Sequence, residues 1–447
     1  MQQFRELVRL EKEILLNLGG WETLVNSILL KDLLVLTKDG EWGKGEPASD
    51  KVEMLVIRGA DFPVVRYSNL SKVPIRYIPE KIAERKCLKA NDILIETAGG
   101  TKGRPTGRTV FLKPRLFKQS KLPITCASFS RFLRVNTDIA EPEYIFWYFQ
   151  FLYETGQMDQ HQVQHTGIAR FQYTKFAESL DIPLPPLPEQ KAIANILGTL
   201  DDKIELNQQM NRTLEAIAQA IFKSWFVDFD PVYAKMDGRQ PVGMDAATAD
   251  LFPDEFEDSP LGMIPKGWRV GKLDNLLVLQ RGFDLPKSQR IPGKYPVITA
   301  SGSSDTHAEY KVKGPGVVTG RSGLLGKVFF VHENFWPLNT SLWIREFRTS
   351  RPLHAYHLLR GLEFETFNSG SAIPTLNRNH VHNLPVIVPP ISIVEAFEDL
   401  VMPMFYKCRE NYKQSRTLAT IRDTLLPKLL SGEIRVKEAE KLAETVT

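Results

Sequence analysis

The sequence is written twice, and that repetition limits the possible folds more than any single motif does. Asp181-Ile-Pro-Leu-Pro-Pro-Leu-Pro-Glu189 returns loosely as Asn383-Leu-Pro-Val-Ile-Val-Pro-Pro-Ile391. Setting Leu180 on Leu384, an offset of 204 (384 − 180), also sets Pro185 on Pro389 and Pro186 on Pro390. Each double proline ends an extended segment and opens a long helical pattern. Proline fixes φ and is tolerated at a helix start, so the corner is stiff and defined.

The same offset carries into the helices. Ile193 falls on Phe397, Leu197 on Val401, Leu200 on Met404, Ile204 on Cys408, Leu214 on Leu418 and Ile221 on Leu425. The steps alternate between three and four residues, the period of a coiled coil. Asn207 falls on Asn411 in the same seam; paired polar residues at core positions fix the register of two packed helices. The pairing set is Leu197, Leu200, Asn207 and Leu214 with Val401, Met404, Asn411 and Leu418. Two separate amphipathic helices with exposed Asn are the plainer alternative for each helix alone.

A weaker echo lies upstream. Asp32-Leu-Leu-Val-Leu36 resembles Asp274-Asn-Leu-Leu-Val-Leu279, and Asn91–Glu96 precedes a glycine-rich stretch as Gly316–Thr319 does. The expected fold is α+β: two mixed α/β heads separated by two long antiparallel coiled-coil helices, with pseudo-two-fold order. The expected parts are an N-terminal helix (1–20), a first head (21–185), a central helix (186–227), a linker (228–268), a second head (269–389), a C-terminal helix (390–432) and a polar tail (433–447). The linker, dense in Asp, Pro, Gly and Met, reads as having little regular structure. Residues 4–18 carry an amphipathic pattern through Phe4, Leu7, Ile14 and Leu18.

No stretch reaches the roughly 18 uninterrupted apolar residues of a membrane span. The opening MQQFRELVRLEKEILL is charged throughout, unlike a secretory leader. Cys87, Cys126 and Cys408 are odd in number and far apart, which argues against a disulfide framework or zinc cluster. The expectation is a cytoplasmic protein without a membrane partner. Fifty-seven basic against 53 acidic residues leave +4, an excess that permits a polyanionic partner without establishing one.

Charge placement is more informative. Gly99-Gly-Thr-Lys-Gly-Arg-Pro-Thr-Gly-Arg108 gathers Lys102, Arg104 and Arg108 among glycines, and Gly320-Arg-Ser-Gly-Leu-Leu-Gly-Lys327 does the same with Arg321, Ser322 and Lys327. Glycine permits close backbone approach, while Arg and Lys neutralise phosphate or contact guanine edges. Gln164, His165, Thr166, Arg170 and Tyr173 precede the first double proline; Asn377, Arg378, Asn379 and His380 precede the second. Such side chains can read base edges. A plain basic turn or a solvated loop is the alternative for any one of these stretches, and recurrence in both halves favours the DNA-contacting reading.

Signatures of catalysis are missing. A nucleotide P-loop fails because five residues separate Gly320 from Gly326, and Val328 stands where Ser or Thr must follow the lysine. The double prolines read Leu184-Pro-Pro-Leu187 and Val388-Pro-Pro-Ile391, without the preceding Asp or Asn of an amino-methyltransferase tetrapeptide. Pro253-Asp254 and Glu309-Tyr-Lys311 are too far apart for a metal nuclease core. Gly-x-Ser-x-Gly and His-Glu-x-x-His do not occur. His354, His357, His380 and His382 read as surface or core histidines. No catalytic residue, metal or cofactor is expected.

Three stretches carry a family resemblance. Leu184-Pro-Pro-Leu-Pro-Glu-Gln190 with the helix running to Phe222-Lys-Ser-Trp-Phe226 resembles the central region of type I restriction–modification specificity subunits (HsdS). Phe226–Val232, Leu251–Phe256 and Ile264–Trp268 resemble the linker of such proteins, and Thr424-Leu-Leu-Pro-Lys-Leu-Leu-Ser-Gly-Glu-Ile434 their ending. The resemblance implies a non-catalytic adaptor whose two target recognition domains each read half of a split double-stranded DNA sequence. It implies helices that act as a spacer and dock two methyltransferase (HsdM) subunits, and association with motor-nuclease (HsdR) subunits. The S-adenosylmethionine and ATP chemistry belongs to those partners. Two departures stand out: residues 1–20 precede the expected start, and the second corner lacks the Glu-Gln pair seen at Glu189-Gln190. A DNA-free coiled-coil scaffold, a fused methyltransferase or nuclease, and an orphan subunit kept for recombination are the rivals.

Overall fold

The computed structural model describes residues 26–99, 104–165, 168–362, 364 and 375–444. The helix expected over 4–18, together with Lys102 and Thr166, lies outside them. The chain divides into two units, Met1–Gln209 with Tyr412–Thr447, and Met210–Asn411.

In the first unit β1 (Asn26–Leu29) pairs antiparallel with β12 (Asp181–Leu184), so the head closes on its own last strand. A four-stranded antiparallel sheet runs in the order β2 (Leu34–Asp39), β9 (Ser130–Val135), β5 (Ile93–Glu96), β7 (Thr109–Phe111). A three-stranded sheet has β3 (Lys51–Ile57) between β4 (Ile75–Pro79), antiparallel, and β8 (Ile124–Cys126), parallel. A third sheet joins β10 (Gln162–His165), β11 (Ile168–Phe171) and β6 (Ala98–Gly99). Short helices α1 (Phe62–Val65), α2 (Glu80–Lys86) and α3 (Pro114–Lys118) connect strands; α4 (Pro142–Glu154) and α5 (Tyr173–Ser179) follow.

Both faces of the four-stranded sheet are covered. Ile93, Ile95, Phe111 and Leu133 pack with Tyr144, Phe146, Trp147 and Phe149 of α4, whereas Leu94, Val110 and Phe132 pack with Ile57 of β3. Successive strand residues point to opposite faces, so a strand buried on both sides reads as an apolar run rather than an alternation.

The long helices are α6 (Leu187–Phe226) and α12 (Ile391–Ser431). Each begins at its double proline: the Pro186 carbonyl accepts from Glu189 and Gln190 N–H, and that of Pro390 from Ile393 and Val394, as the offset of 204 demands. In the first unit Leu197, Leu200 and Ile204 of α6 share a core with Leu418, Leu425, Leu426 and Leu429 of α12. Buried Asp201 meets Arg66 at 2.7 Å and also Arg422. Asn207 Nδ2 donates to Gln414 Oε1 (2.9 Å) and Ser415 Oγ (3.3 Å). Numbers rising on α6 meet numbers falling on α12, so the pair is antiparallel. The C-terminal α13 (Val436–Glu444) adds Ala439 to this core.

The second unit repeats the strand pair, the four-stranded sheet and the three-stranded sheet of the first. Here β15 (Arg269–Lys272) pairs with β23 (Pro385–Val388). The four-stranded order is β16 (Leu277–Arg281), β22 (Ser341–Phe347), β19 (Gly316–Gly320), β20 (Val328–Val331). In the three-stranded sheet β17 (Tyr295–Thr299) lies between antiparallel β18 (Gly302–His307) and parallel β21 (Trp336–Pro337). Helices α10 (Pro352–Arg360) and α11 (Arg378–His382) take the places of α4 and α5. Val317, Leu342 and Ile344 face the core containing Leu353 and Leu359 of α10; Val318 and Trp343 face Ile298 of β17. Ala218, Phe222 and Trp225 of α6 pack with Ile393, Phe397, Val401 and Phe405 of α12. Leu214 and Met404 are only half-buried, at the margin of the seam.

Residues 228–268 differ from the expected plain linker. They form α7 (Asp230–Met236), α8 (Ala246–Asp250) and the strand pair β13 (Phe256–Glu257) and β14 (Ile264–Pro265), with α9 (Leu273–Leu276) just beyond. Phe229, Val232, Phe252, Ile264 and Trp268 are buried in the second unit's core. Aromatic anchors spaced among Asp, Pro and Gly hold the strap down, although no periodicity advertises them.

Candidate nucleic-acid interface

The glycine-rich stretches occupy the same place in both heads: the hairpin between β5 and β7 in the first, and between β19 and β20 in the second. The first is pinned from several sides. Tyr153 OH donates to the Pro105 carbonyl at 3.0 Å, and buried Thr106 donates its N–H (2.8 Å) and hydroxyl (3.0 Å) to Gln162 Oε1. Gly107 sits at φ +92°, where a Cβ would lie 3.0 Å from the Phe171 ring, so glycine is required on both counts.

Arg108 does not project from this loop. Its guanidinium is paired with Glu96 at 2.6 and 2.9 Å and donates to the Gly59 carbonyl at 2.8 Å, leaving the side chain 13% exposed. The Glu96 hydrogen bonds, outweighing burial, push its pKa up. Arg108, expected from the sequence to contact DNA, here anchors the base of the loop. Arg104 is exposed. Strand β11 sets exposed Arg170 opposite Ala98 at the loop's start, and β10, carrying Gln164 and His165, pairs with β11. The two first-half clusters therefore meet on one sheet. Tyr173 lies under the Arg131 guanidinium at 4.5 Å, while Arg131 holds Asp39 through two nitrogens.

In the second head a cavity of about 470 Å³ is lined by Arg281, Arg321, Leu342, Thr375, Leu376, Asn377 and Arg378. Sequence reading anticipated Arg321, Asn377 and Arg378, and the fold brings them together. Arg321 is fixed by its backbone, its N–H donating to the Thr340 carbonyl and its own carbonyl accepting from Leu376, both at 2.9 Å. Asn377 Oδ1 caps α11 through Asn379 N–H at 3.0 Å. Ser322 bridges to Thr375 at the cavity edge, while Lys327 and His380 are exposed and not among its lining.

Arg281 was missed. It ends β16 forty positions before Arg321, and only strand order makes them neighbours of one cavity. Its contacts with exposed Asp284 are long, 3.3 and 3.5 Å. Among the described residues three guanidinium groups and no carboxylate line this space. Like charges converging on a recess repel unless an anion or acceptor enters it, so the site suits phosphate or a guanine edge.

Two further side chains escaped notice. Gln190 Oε1 accepts from Glu141 N–H (2.9 Å) at the start of α4, and its Nε2 donates to the Pro185 carbonyl (2.8 Å). In the second unit Glu398 does the equivalent work for α10, accepting from Leu353 N–H at 2.9 Å and His354 N–H at 3.3 Å. A long helix thus holds each head's own helix by its N-terminus, and the Glu-Gln pair at the first corner was the available clue. Buried His354 and His357 are lowered to about 3 and about 4, by burial first and then by a neighbouring cation or histidine. His382 Nε2 accepts from Leu279 N–H at 2.8 Å. Among the described residues no group of three or more metal-ligating side chains occurs, and no helix is long and apolar enough to cross a membrane.

Comparison with known proteins agrees with this layout. Residues 51–216 and 265–401 match the type I restriction modification DNA specificity domain. The type I restriction enzyme MjaIX specificity subunit of Methanocaldococcus jannaschii is 29% identical over 430 residues, covering 89% of this chain and 92% of its own. The HindI specificity subunit of Haemophilus influenzae is 27% identical, over 67% of this chain and 79% of its own. The crystal structure of the type I restriction–modification S subunit from M. genitalium superposes with a TM-score of 0.56 at 17% identity, covering 92% of this chain and 98% of that one, which shows a shared fold. With both heads matched, the chain belongs to the type I restriction–modification DNA specificity family and is a specificity subunit carrying two such domains.

Proposed function

We propose that each head reads one half of a bipartite double-stranded DNA target, while α6 and α12 set the gap and dock two methyltransferase subunits. The observation that carries this reading is the repetition of one sheet order in both heads, with a basic, glycine-rich hairpin at the same place in each. Two copies of one reading device on one chain suit a target written in two pieces. Catalysis is assigned to the partners: adenine methylation to the methyltransferases, cleavage to motor-nuclease subunits, all in the cytoplasm. In the first head Arg104, Arg170, Gln164 and His165, with Lys102, supply the DNA contacts. Arg321, Ser322, Lys327, Asn377, Arg378 and His380 supply them in the second, with Arg281 added.

The test is a head exchange within the assembled methyltransferase. Replacing residues 20–180 with the corresponding head of another specificity subunit should change one half of the methylated motif and leave the other half and the gap intact. A motif altered in both halves, or in neither, overturns the division of labour.

A further inference from the structure

Phe129 is 61% exposed at the tip of the turn between β8 and β9. Turn tips are ordinarily filled by Gly, Asn, Asp or Ser, whose polar groups water solvates without loss. This turn is also held rigidly. Ser130 N–H donates to the Ala127 carbonyl at 2.9 Å, and the Phe129 carbonyl accepts from Thr97 N–H (2.8 Å) and Ala98 N–H (3.3 Å). The backbone of Phe129 is therefore tied to the first residues of the basic hairpin, and Ala98 is the residue that β11 sets opposite exposed Arg170. The second head has a parallel: Leu324, 48% exposed, lies in its basic hairpin between Gly323 (φ +88°) and Gly326 (φ +78°). Phe129 and Leu324 are thus exposed apolar side chains at or beside the basic hairpin of their heads.

We propose that Phe129 is a wedge that enters between two adjacent base pairs of the half-site read by the first head, partly unstacking that step and bending the duplex, and that Leu324 acts likewise in the second. This rests on the DNA-reading role proposed above and adds a mode of contact that hydrogen-bonding side chains do not supply. A polyanion suits the flanking arginines, and only the base stack of such a partner offers the apolar surface that a phenyl ring needs. A rigid turn keeps the ring presented before binding, so little ordering cost falls on the encounter.

The probe is a 30-base-pair duplex containing the motif methylated by this system in its host, with 2-aminopurine placed in turn at each step of the half-site. The protein is the full chain in its methyltransferase complex. The wild type should raise 2-aminopurine emission at one step other than the methylated adenine, which the methyltransferase itself takes out of the stack. Phe129→Ala should abolish that rise and weaken binding roughly tenfold to a hundredfold, with the slope of log affinity against log salt unchanged, because no charge is lost. Phe129→Trp should restore both. The ring is solvated, so the Ala variant should melt at the wild-type temperature. If Phe129→Ala keeps the emission rise and the affinity, or loses affinity with a flattened salt slope, the wedge is wrong while DNA reading survives. Failure of the wild type to bind the duplex overturns both.

Discussion

Asn411 donates its side-chain amide to Oδ1 of Asn211 at 2.8 Å, and both residues are buried between α12 and α6 of the second unit. Under the offset of 204 Asn207 corresponds to Asn411 and Asn211 to Ser415, so the Asn207–Ser415 contact of the first unit is the same pair of positions with the helices exchanged. Asn211 also donates to the Cys408 carbonyl at 3.3 Å. These polar pairs sit in a seam otherwise filled by Leu, Ile, Val and Phe. One helix sliding past the other would strand a buried amide without a partner, so the pairs specify register at some expense of stability.

The expected outcome for Asn411→Ala is a loss of about 1–3 kcal/mol, since Asn211 Oδ1 is left buried and short of a donor. Asn211→Leu with Asn411→Leu should recover part of that loss, because the two amides that satisfy each other leave together. Thermal melts of the two single variants and the double variant measure the coupling. Strict additivity would show that the two amides act independently.

Glu143 on α4 gives a pH prediction. Its carboxyl is pushed up to about 7, by burial first and then by Asp202, Asp201 and Glu141 against the opposing pull of Lys113. Its Oε1 has no hydrogen-bond partner among the described residues and rests against Gly198 of α6, where a Cβ would come within 2.7 Å. An unfolded glutamate titrates near 4.3. Between about 4.3 and 7 the folded chain therefore holds more protons than the unfolded one, and stability falls as pH rises through that window before levelling off. Glu143→Gln should remove this slope, so that the stability gained over wild type is larger at pH 8 than at pH 5 by an amount on the order of 2–3 kcal/mol. Equal shifts at both pH values would rule out titration of Glu143 as the cause.

The two heads should respond differently to loss of an arginine. Arg281→Ala, which removes one of three guanidinium groups from an otherwise cationic cavity, should weaken binding to all sequences alike. It should also reduce the salt slope by about 1, the signature of a phosphate contact. Relaxation of one motif position would instead mark Arg281 as a base reader. Arg108→Ala should leave the slope alone and cost about 3–5 kcal/mol of stability, because Glu96 would be left buried and unpaired.

What the sequence made legible follows from where its information is local. The helices were readable because proline pairs start them and a three-four period runs through Leu197, Leu200 and Ile204 and again through Val401 and Cys408. The heads were readable only as mixed structure. Ile93-Leu-Ile95 feeds two different cores from alternate residues, and such a strand shows no polar face to count. Arg108 looked like a ligand-facing residue because nothing in its own loop reveals Glu96 waiting across the sheet. Arg281 was invisible for the converse reason: it belongs with Arg321 through strand order, and sequence separation hides that.

Helix length should set the gap in the target. Helix α6 has 40 residues and α12 has 41, each about 60 Å long at ~1.5 Å per residue. Adding four residues, about one turn or ~5.4 Å, to both helices near Gln209 and Tyr412 lengthens each by the rise of one to two base pairs. The methylated motif of the variant, read by sequencing the modified host genome, should keep both half-sites and widen the gap by one or two positions. The insertion must go into both helices, since lengthening α6 alone would put Asn207 and Asn211 out of step with Ser415 and Asn411. Such a single insertion should lower stability instead of yielding a clean new spacing. An unchanged gap in the doubly lengthened variant would mean that the helices hold the heads without measuring the DNA between their half-sites.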